Sequence, residues 1–281
     1  MKKILVPTDF SDSANNALDF ACDIARKSQA EIELLHVVDF VAPAFGSTGG
    51  MVYYEGYDSL SKEMEESAKE SISVLIKDPK RKDVKISTNV KVGDPYDSIA
   101  KIVSKQDSDL IVLGTQGTSG IHEILIGSNA EKVVRFAHCP VITVPTSYKL
   151  GEIKSIAFAL DKDMKNKGVF AKVKIIARLF DAELKFVWVH TIHDLENETM
   201  TADEIESFIT KSGFVDFDFQ VLKSISSYEG ILRFAQENDI DMIAMATHGR
   251  RGLAHLFVGS TAEGVVNHAK RPVWTMSMRE Q

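Results

Sequence analysis

Short apolar runs rich in β-branched residues alternate along this chain with longer stretches of helical periodicity, and the alternation runs through two cycles. In the first cycle the pattern predicts strands over about 3–8, 32–38, 86–92, 109–114 and 141–145, with helices over about 12–28, 59–76, 96–106 and 129–138. The second gives strands over about 155–160, 183–190, 217–222, 241–246 and 273–276, and helices over about 164–180, 202–212, 228–238 and 261–269. Leu110-Ile111-Val112-Leu113 and Met242-Ile243-Ala244-Met245 are apolar at successive positions, as strands buried on both faces must be. Five strands and four helices per cycle predict an α/β fold, with a doubly wound parallel sheet in each half. Ligands bind such sheets beyond the carboxyl ends of the strands, where the strand order reverses. Asp9 after the first strand and Gly114 after the fourth meet there only if those strands are neighbours.

The two cycles are copies of one unit. Asp109 to Arg135 laid without a gap over Asp241 to Asn267 is identical at 11 of 27 positions, against roughly two by chance. That alignment has an offset of 132, whereas Ile4 to Asp9 matches Ile156 to Asp161 at 152, so the first copy carries a surplus of 152 − 132, or about 20 residues. Residues 40–58, with Pro43, Gly46, Gly49, Gly50 and three tyrosines, read as that surplus in the form of a loop. The expected domains are residues 1–147 and 151–281.

Composition adds exclusions. Hydrophobic residues at 44% and charged residues at 26% fit two soluble globular domains, and no apolar run nears the ~18 residues of a membrane span. Met1-Lys2-Lys3 runs into a strand with no signal-peptide core, so a cytoplasmic site and no membrane partner are expected. A net charge of −7 argues against a nucleic-acid partner, which needs an excess of Lys and Arg. Cys22 and Cys139 read as two small thiols rather than a disulfide or metal pair.

The candidate chemistry lies in the repeated segment. Gly114-Thr115-Gln116-Gly117 is followed by nine residues and then Gly127-Ser128, and Ala246-Thr247-His248-Gly249 is followed by nine and then Gly259-Ser260. Gly114 can turn with positive φ or admit a ligand that a Cβ would exclude, and Gly117 gives a second such point. Ser128 falls at a helix start whose free amides and dipole favour an anion such as phosphate. Ser128 with Glu131 and Ser260 with Glu263 also fit capping boxes, a purely structural use. Residues 115–126 hold no Lys or Arg, so phosphates there need amides, hydroxyls and a divalent metal carried by the nucleotide. No Walker pattern, dinucleotide fingerprint or catalytic triad can be assembled, and His190 and His193 have no supporting metal cluster. Binding is better supported than turnover, for which neither a cationic clamp nor a nucleophile-positioning residue is evident.

These residues, with the opening Ile4 to Ser11, His36-Val37 and the closing Cys139 to Val144, resemble the universal stress protein family in its tandem form over nearly the whole chain. The resemblance implies a Rossmann-like five-stranded sheet of order 3-2-1-4-5 in each half and, in one branch, bound ATP with Mg²⁺ or Mn²⁺ through its phosphates. Pro7, Thr8 and Asp9 would then line the adenine and ribose pocket, and Val38 would meet adenine through its backbone. Leu113, Gly114, Gly117, Gly127, Ser128 and Asn129 would complete the site, and Gln116 replaces a common family histidine. Asp9 as a helix cap and Val38 as a core residue are the structural alternatives. The resemblance also implies that the two last strands pair the copies as an internal pseudo-dimer, and it leaves a homodimer of whole chains open.

The second copy departs at several of these positions. Ala246 replaces Gly114, Ala159-Leu160 replaces Pro7-Thr8, and Ser224-Ile225-Ser226 stands against Val92-Gly93-Asp94, while Arg250 and Arg251 enter the loop as either a solvated surface or a changed anion pocket. An ATP-binding regulatory protein of the stress response with one active half is the favoured expectation. A slow ATPase and a nucleotide-free interaction scaffold remain beside it. The 40–58 loop is a lid, an assembly arm or a plain insertion.

Overall fold

A computed structural model describes residues 1–40, 57–95, 98–99, 101–102, 108–115, 130–131, 133–134, 137–161, 167–191, 201–247 and 260–278. Its strands are β1 (Lys3–Thr8), β2 (Glu31–Asp39), β3 (Ile86–Gly93), β4 (Leu110–Gly114), β5 (Val141–Val144), β6 (Ser155–Leu160), β7 (Glu183–His190), β8 (Asp218–Lys223), β9 (Met242–Thr247) and β10 (Val273–Ser277). The helices are α1 (Asp12–Ser28), α2 (Tyr57–Ile76), α3 (Lys167–Phe180), α4 (Ala202–Lys211), α5 (Ser227–Glu237) and α6 (Ser260–His268). All ten strands join one sheet in the order β3-β2-β1-β4-β5-β10-β9-β6-β7-β8. Each half reads 3-2-1-4-5, and pairing is parallel except at the seam, where β5 and β10 run antiparallel with Ile142 beside Trp274. Of the surplus loop expected at 40–58, residues 41–56 lie outside the described residues, as do Arg250, Arg251 and His193, and Tyr57 and Asp58 already belong to α2.

Helix α1 shows how local sequence sets an element. Ser11 caps it by accepting from the Ala14 N–H at 3.2 Å, and Gln29 ends it in the left-handed region at φ 57°. Between them Ala14, Ala17, Leu18, Ala21, Ile24 and Ala25 form a buried stripe on the sheet side. A 3₁₀ turn at Pro79–Arg81 leaves no periodic signal in the sequence because three residues are too few to show a period. It delivers the buried Arg81 guanidinium to Asp19 at 2.7 Å and to the Leu75 carbonyl at 2.7 Å.

Alternation along the strands builds two cores, one per face. Ile4, Val6 and Leu34 share a face with Phe158, Leu160 and Trp274, while Leu5, Ile111 and Leu113 share the other with Ala157, Val187 and Val273. Both cores cross the seam between the halves. Phe20 of α1 also meets Phe180 of α3 with ring centroids 6.0 Å apart. Among the described residues no helix is long and apolar enough to cross a membrane.

Candidate functional site

A proline opens the site. The Asp109 N–H donates to the Lys3 carbonyl, so Lys3, Leu5 and Pro7, alternating along β1, turn their backbone groups toward β4. Pro7 has no N–H to give, and the β1–β4 ladder stops at Leu5 beside Ile111. On the other side β1 stays paired with β2 as far as Thr8 beside His36. The β1–β4 hydrogen-bonded ladder thus ends where the sheet's winding reverses, the position where parallel sheets bind ligands.

A cleft of about 880 Å³ occupies that position. Six residues expected to form a site line it together: Pro7, Thr8, Asp9, Val38, Leu113 and Gly114. Gly117, Gly127, Ser128 and Asn129 lie outside the described residues. The cleft also takes in residues not expected in the site, among them Phe10, His36 and Val37, which carried the resemblance without a site role, and the α2 wall of Leu60, Glu63 and Met64. Helix α2 reaches the site only through the fold, about fifty positions away in the chain, and its amphipathic spacing carries no chemical signal. Of the two valines, Val38 is 4% exposed and Val37 is half-buried, so Val37 offers the larger side-chain surface to a ligand.

Asp9 is not itself the cap of α1. Its Oδ1 accepts from the Ser11 N–H at 3.1 Å and the Ser11 hydroxyl at 2.6 Å, holding Ser11 in the capping position. Thr8 Oγ1 accepts from the Phe10 N–H at 3.1 Å, and Phe10 sits at φ 65°, uncommon for an aromatic side chain. These bonds fold the chain sharply beside the cleft, where the Phe10 and His36 ring centroids lie 4.5 Å apart. The charged side chains lining the cleft among the described residues include Asp9, Asp39 and Glu63 and no Lys or Arg. No described group of His, Cys, Asp or Glu could hold a metal ion.

Gly114 serves a different close approach from the one its motif suggested. Its φ is not in the positive region, which among the described glycines only Gly93 and Gly213 occupy. A Cβ on Gly114 would instead lie 2.7 Å from both the carbonyl carbon and oxygen of Ser13, in the first turn of α1. The glycine lets α1 press against the end of β4, next to the cleft.

The sequence model of the universal stress protein family matches residues 1–145 and 218–276. The chain belongs to the universal stress protein family. Universal stress protein MJ0531 of Methanocaldococcus jannaschii is 38% identical over 144 residues, which are 51% of this chain and 81% of that protein. Universal stress protein Slr1230 of Synechocystis is 24% identical over 291 residues, covering 98% of this chain and 99% of its own, so the tandem length recurs there. A universal stress protein structure from Archaeoglobus fulgidus superposes with a TM-score of 0.72 at 21% identity, covering 99% of this chain and 98% of that one, and shares the fold.

In the second half of this universal stress protein the corresponding ladder runs further. Ala159, at the Pro7 position, keeps its N–H, and the β6–β9 ladder runs on to Ala159 beside Met245. Leu160 stands at the Thr8 position beside Trp188 at the His36 position. Leu160, Trp188 and Ala246 all belong to the apolar core on that face.

The registers also correct one alignment. Val38 pairs with Val92, and its counterpart His190 pairs with Lys223, so Lys223 answers Val92 and Ser224 answers Gly93. The Ser98 N–H donates to the Asp94 carbonyl and the Gly230 N–H to the Ser226 carbonyl, which matches Asp94 with Ser226. Ile225, 82% exposed, is therefore an inserted residue. The first half makes this turn with one glycine at φ 145°, and the second uses two ordinary residues.

Proposed function

We propose that this chain is an ATP-binding regulatory protein of the stress response that holds one adenine nucleotide in its first half. The observation that carries the reading is the cleft of about 880 Å³ at the switch point, within the 300–1,000 Å³ typical of small-molecule sites. Residues 1–147 form the nucleotide-binding domain, and residues 151–281 form a partner domain whose equivalent ladder is longer and whose equivalent positions belong to the apolar core. Pro7, Thr8, Val37, Val38 and Leu113 would enclose the base and ribose, with Asp9 a polar anchor. Gly117, Gly127, Ser128 and Asn129 would supply amides and hydroxyls to the phosphates. The acidic lining favours phosphates that arrive neutralised by Mg²⁺ or Mn²⁺. Nothing in the described lining offers a cationic clamp, so the reading is of binding rather than turnover, in the cytoplasm.

Calorimetric titration of ATP with Mg²⁺ into the full chain tests this. One site per chain is expected. Ala246→Gly is expected to create no second site, because Ala159, Leu160 and Trp188 remain in place. No binding, or two equivalent sites in the unaltered chain, overturns the reading.

A further inference from the structure

His36 lines the cleft at the end of β2, although the glycine motif gives it no part. Its Nδ1 lies 2.8 Å from the Thr8 carbonyl oxygen. A carbonyl can only accept, so Nδ1 carries the proton. In the neutral ring Nε2 is then an acceptor with no proton, and no described residue donates to it. The two ring nitrogens diverge, so with Nδ1 tied to the β1 backbone, Nε2 turns away from that strand. Phe10 packs against the ring at 4.5 Å and fixes its plane. The half-buried ring is thus a positioned acceptor whose tautomer is set by the main chain.

We propose that His36 is a specificity-determining residue of the nucleotide cleft, whose Nε2 accepts a hydrogen bond from the 6-amino group of the purine. This rests on the nucleotide reading above. An acceptor there welcomes the amino group of adenine and opposes the 6-keto oxygen of hypoxanthine, which is itself an acceptor and would leave both groups desolvated without a partner. The second half supplies the contrast. Trp188 takes the same register position beside Leu160, and the indole nitrogen can only donate. The half with the longer ladder has also lost the acceptor.

The test is a comparison of ATP and ITP, each with Mg²⁺, titrated into the full chain and into His36→Asn. The Asn amide nitrogen can keep the donation to the Thr8 carbonyl while nothing remains at the Nε2 position. The full chain is expected to prefer ATP about tenfold, the worth of one hydrogen bond. In His36→Asn that preference should narrow severalfold, with the thermal midpoint of the unliganded protein little changed. A purely structural role for His36 predicts equal weakening of both nucleotides and an unchanged ratio, which overturns the proposal. Equal binding of ATP and ITP to the full chain overturns it while leaving the nucleotide reading intact. Failure of either nucleotide to bind the full chain removes both.

Discussion

Gly114 and Ser13 touch through their backbones: the end of β4 runs so close to the first turn of α1 that a methyl group on Gly114 would overlap the Ser13 carbonyl at 2.7 Å. A repeated sequence motif and a packing requirement coincide at one residue. A weakened nucleotide site in a Gly114 variant is therefore no proof that a ligand contact was removed.

Gly114→Ala is expected to destabilise the chain by about 1–3 kcal/mol, the usual cost of forcing extra volume into a packed contact. The overlap with Ser13 involves its backbone as well as its hydroxyl, so Ser13→Gly should not rescue the variant. Denaturant midpoints of the single and double variants decide this, and full rescue would show that the backbone contact yields easily.

Pro7→Ala should let β1 extend its ladder toward β4 as β6 does toward β9. A new hydrogen bond contributes about 0.5–1.5 kcal/mol, while loss of proline's restraint on the unfolded chain costs about 0.4–1 kcal/mol, so net stability should barely move. The informative readout is amide exchange: the new residue-7 amide should be protected, and ATP affinity should fall as the gap narrows. A fast-exchanging amide at residue 7 would show that something other than the proline holds the strands apart.

Burial pushes both thiols up, Cys22 and Cys139 each from 9.0 to about 12. Neither should react appreciably with a disulfide reagent at neutral pH in the folded chain, and both should react on unfolding. Because the folded state favours the protonated thiol, this contribution to stability is complete below about pH 9 and is lost as pH rises toward 12. Stability measured across that window should decline, and Cys22→Ala should flatten part of the decline.

The seam predicts cooperative unfolding. Both cores run through β5 and β10, and Thr143 and Thr275 each direct a hydroxyl to a carbonyl across it, on Val273 and Val141 at 3.4 Å. Calorimetry is expected to show one transition with equal calorimetric and van't Hoff enthalpies. Two separable transitions would mean that each half folds by itself.

Sequence periodicity placed the ten strands well because buried parallel strands and amphipathic helices leave long, repeated signals. The duplication was legible for the same reason. Asp9 and Gly114 were visible as candidates because they fall at strand ends, where a doubly wound sheet must bind, and Pro7 and Thr8 through the family resemblance. His36, Val37 and the α2 wall were not, since Leu60 and Met64 look like ordinary helix residues until the fold turns them toward the cleft. The Ile225 insertion was hidden by an alignment that kept one offset through a turn, and strand pairing exposed it.

By itself, the sequence determined that two copies of one α/β unit lie in tandem and that their glycine segments differ. The differences at Pro7 and Ala159 were plain in the letters, yet their effect was not, because a missing N–H matters only according to the strand it faces. Tertiary structure decided that Pro7 faces β4, that the β1–β4 ladder stops at Leu5 in the first half, and that the matching ladder runs on to Ala159 in the second. It also assigned Gly114 to contact with Ser13. Spacing along the chain reports which backbone groups exist, and only packing in space determines which neighbours they meet.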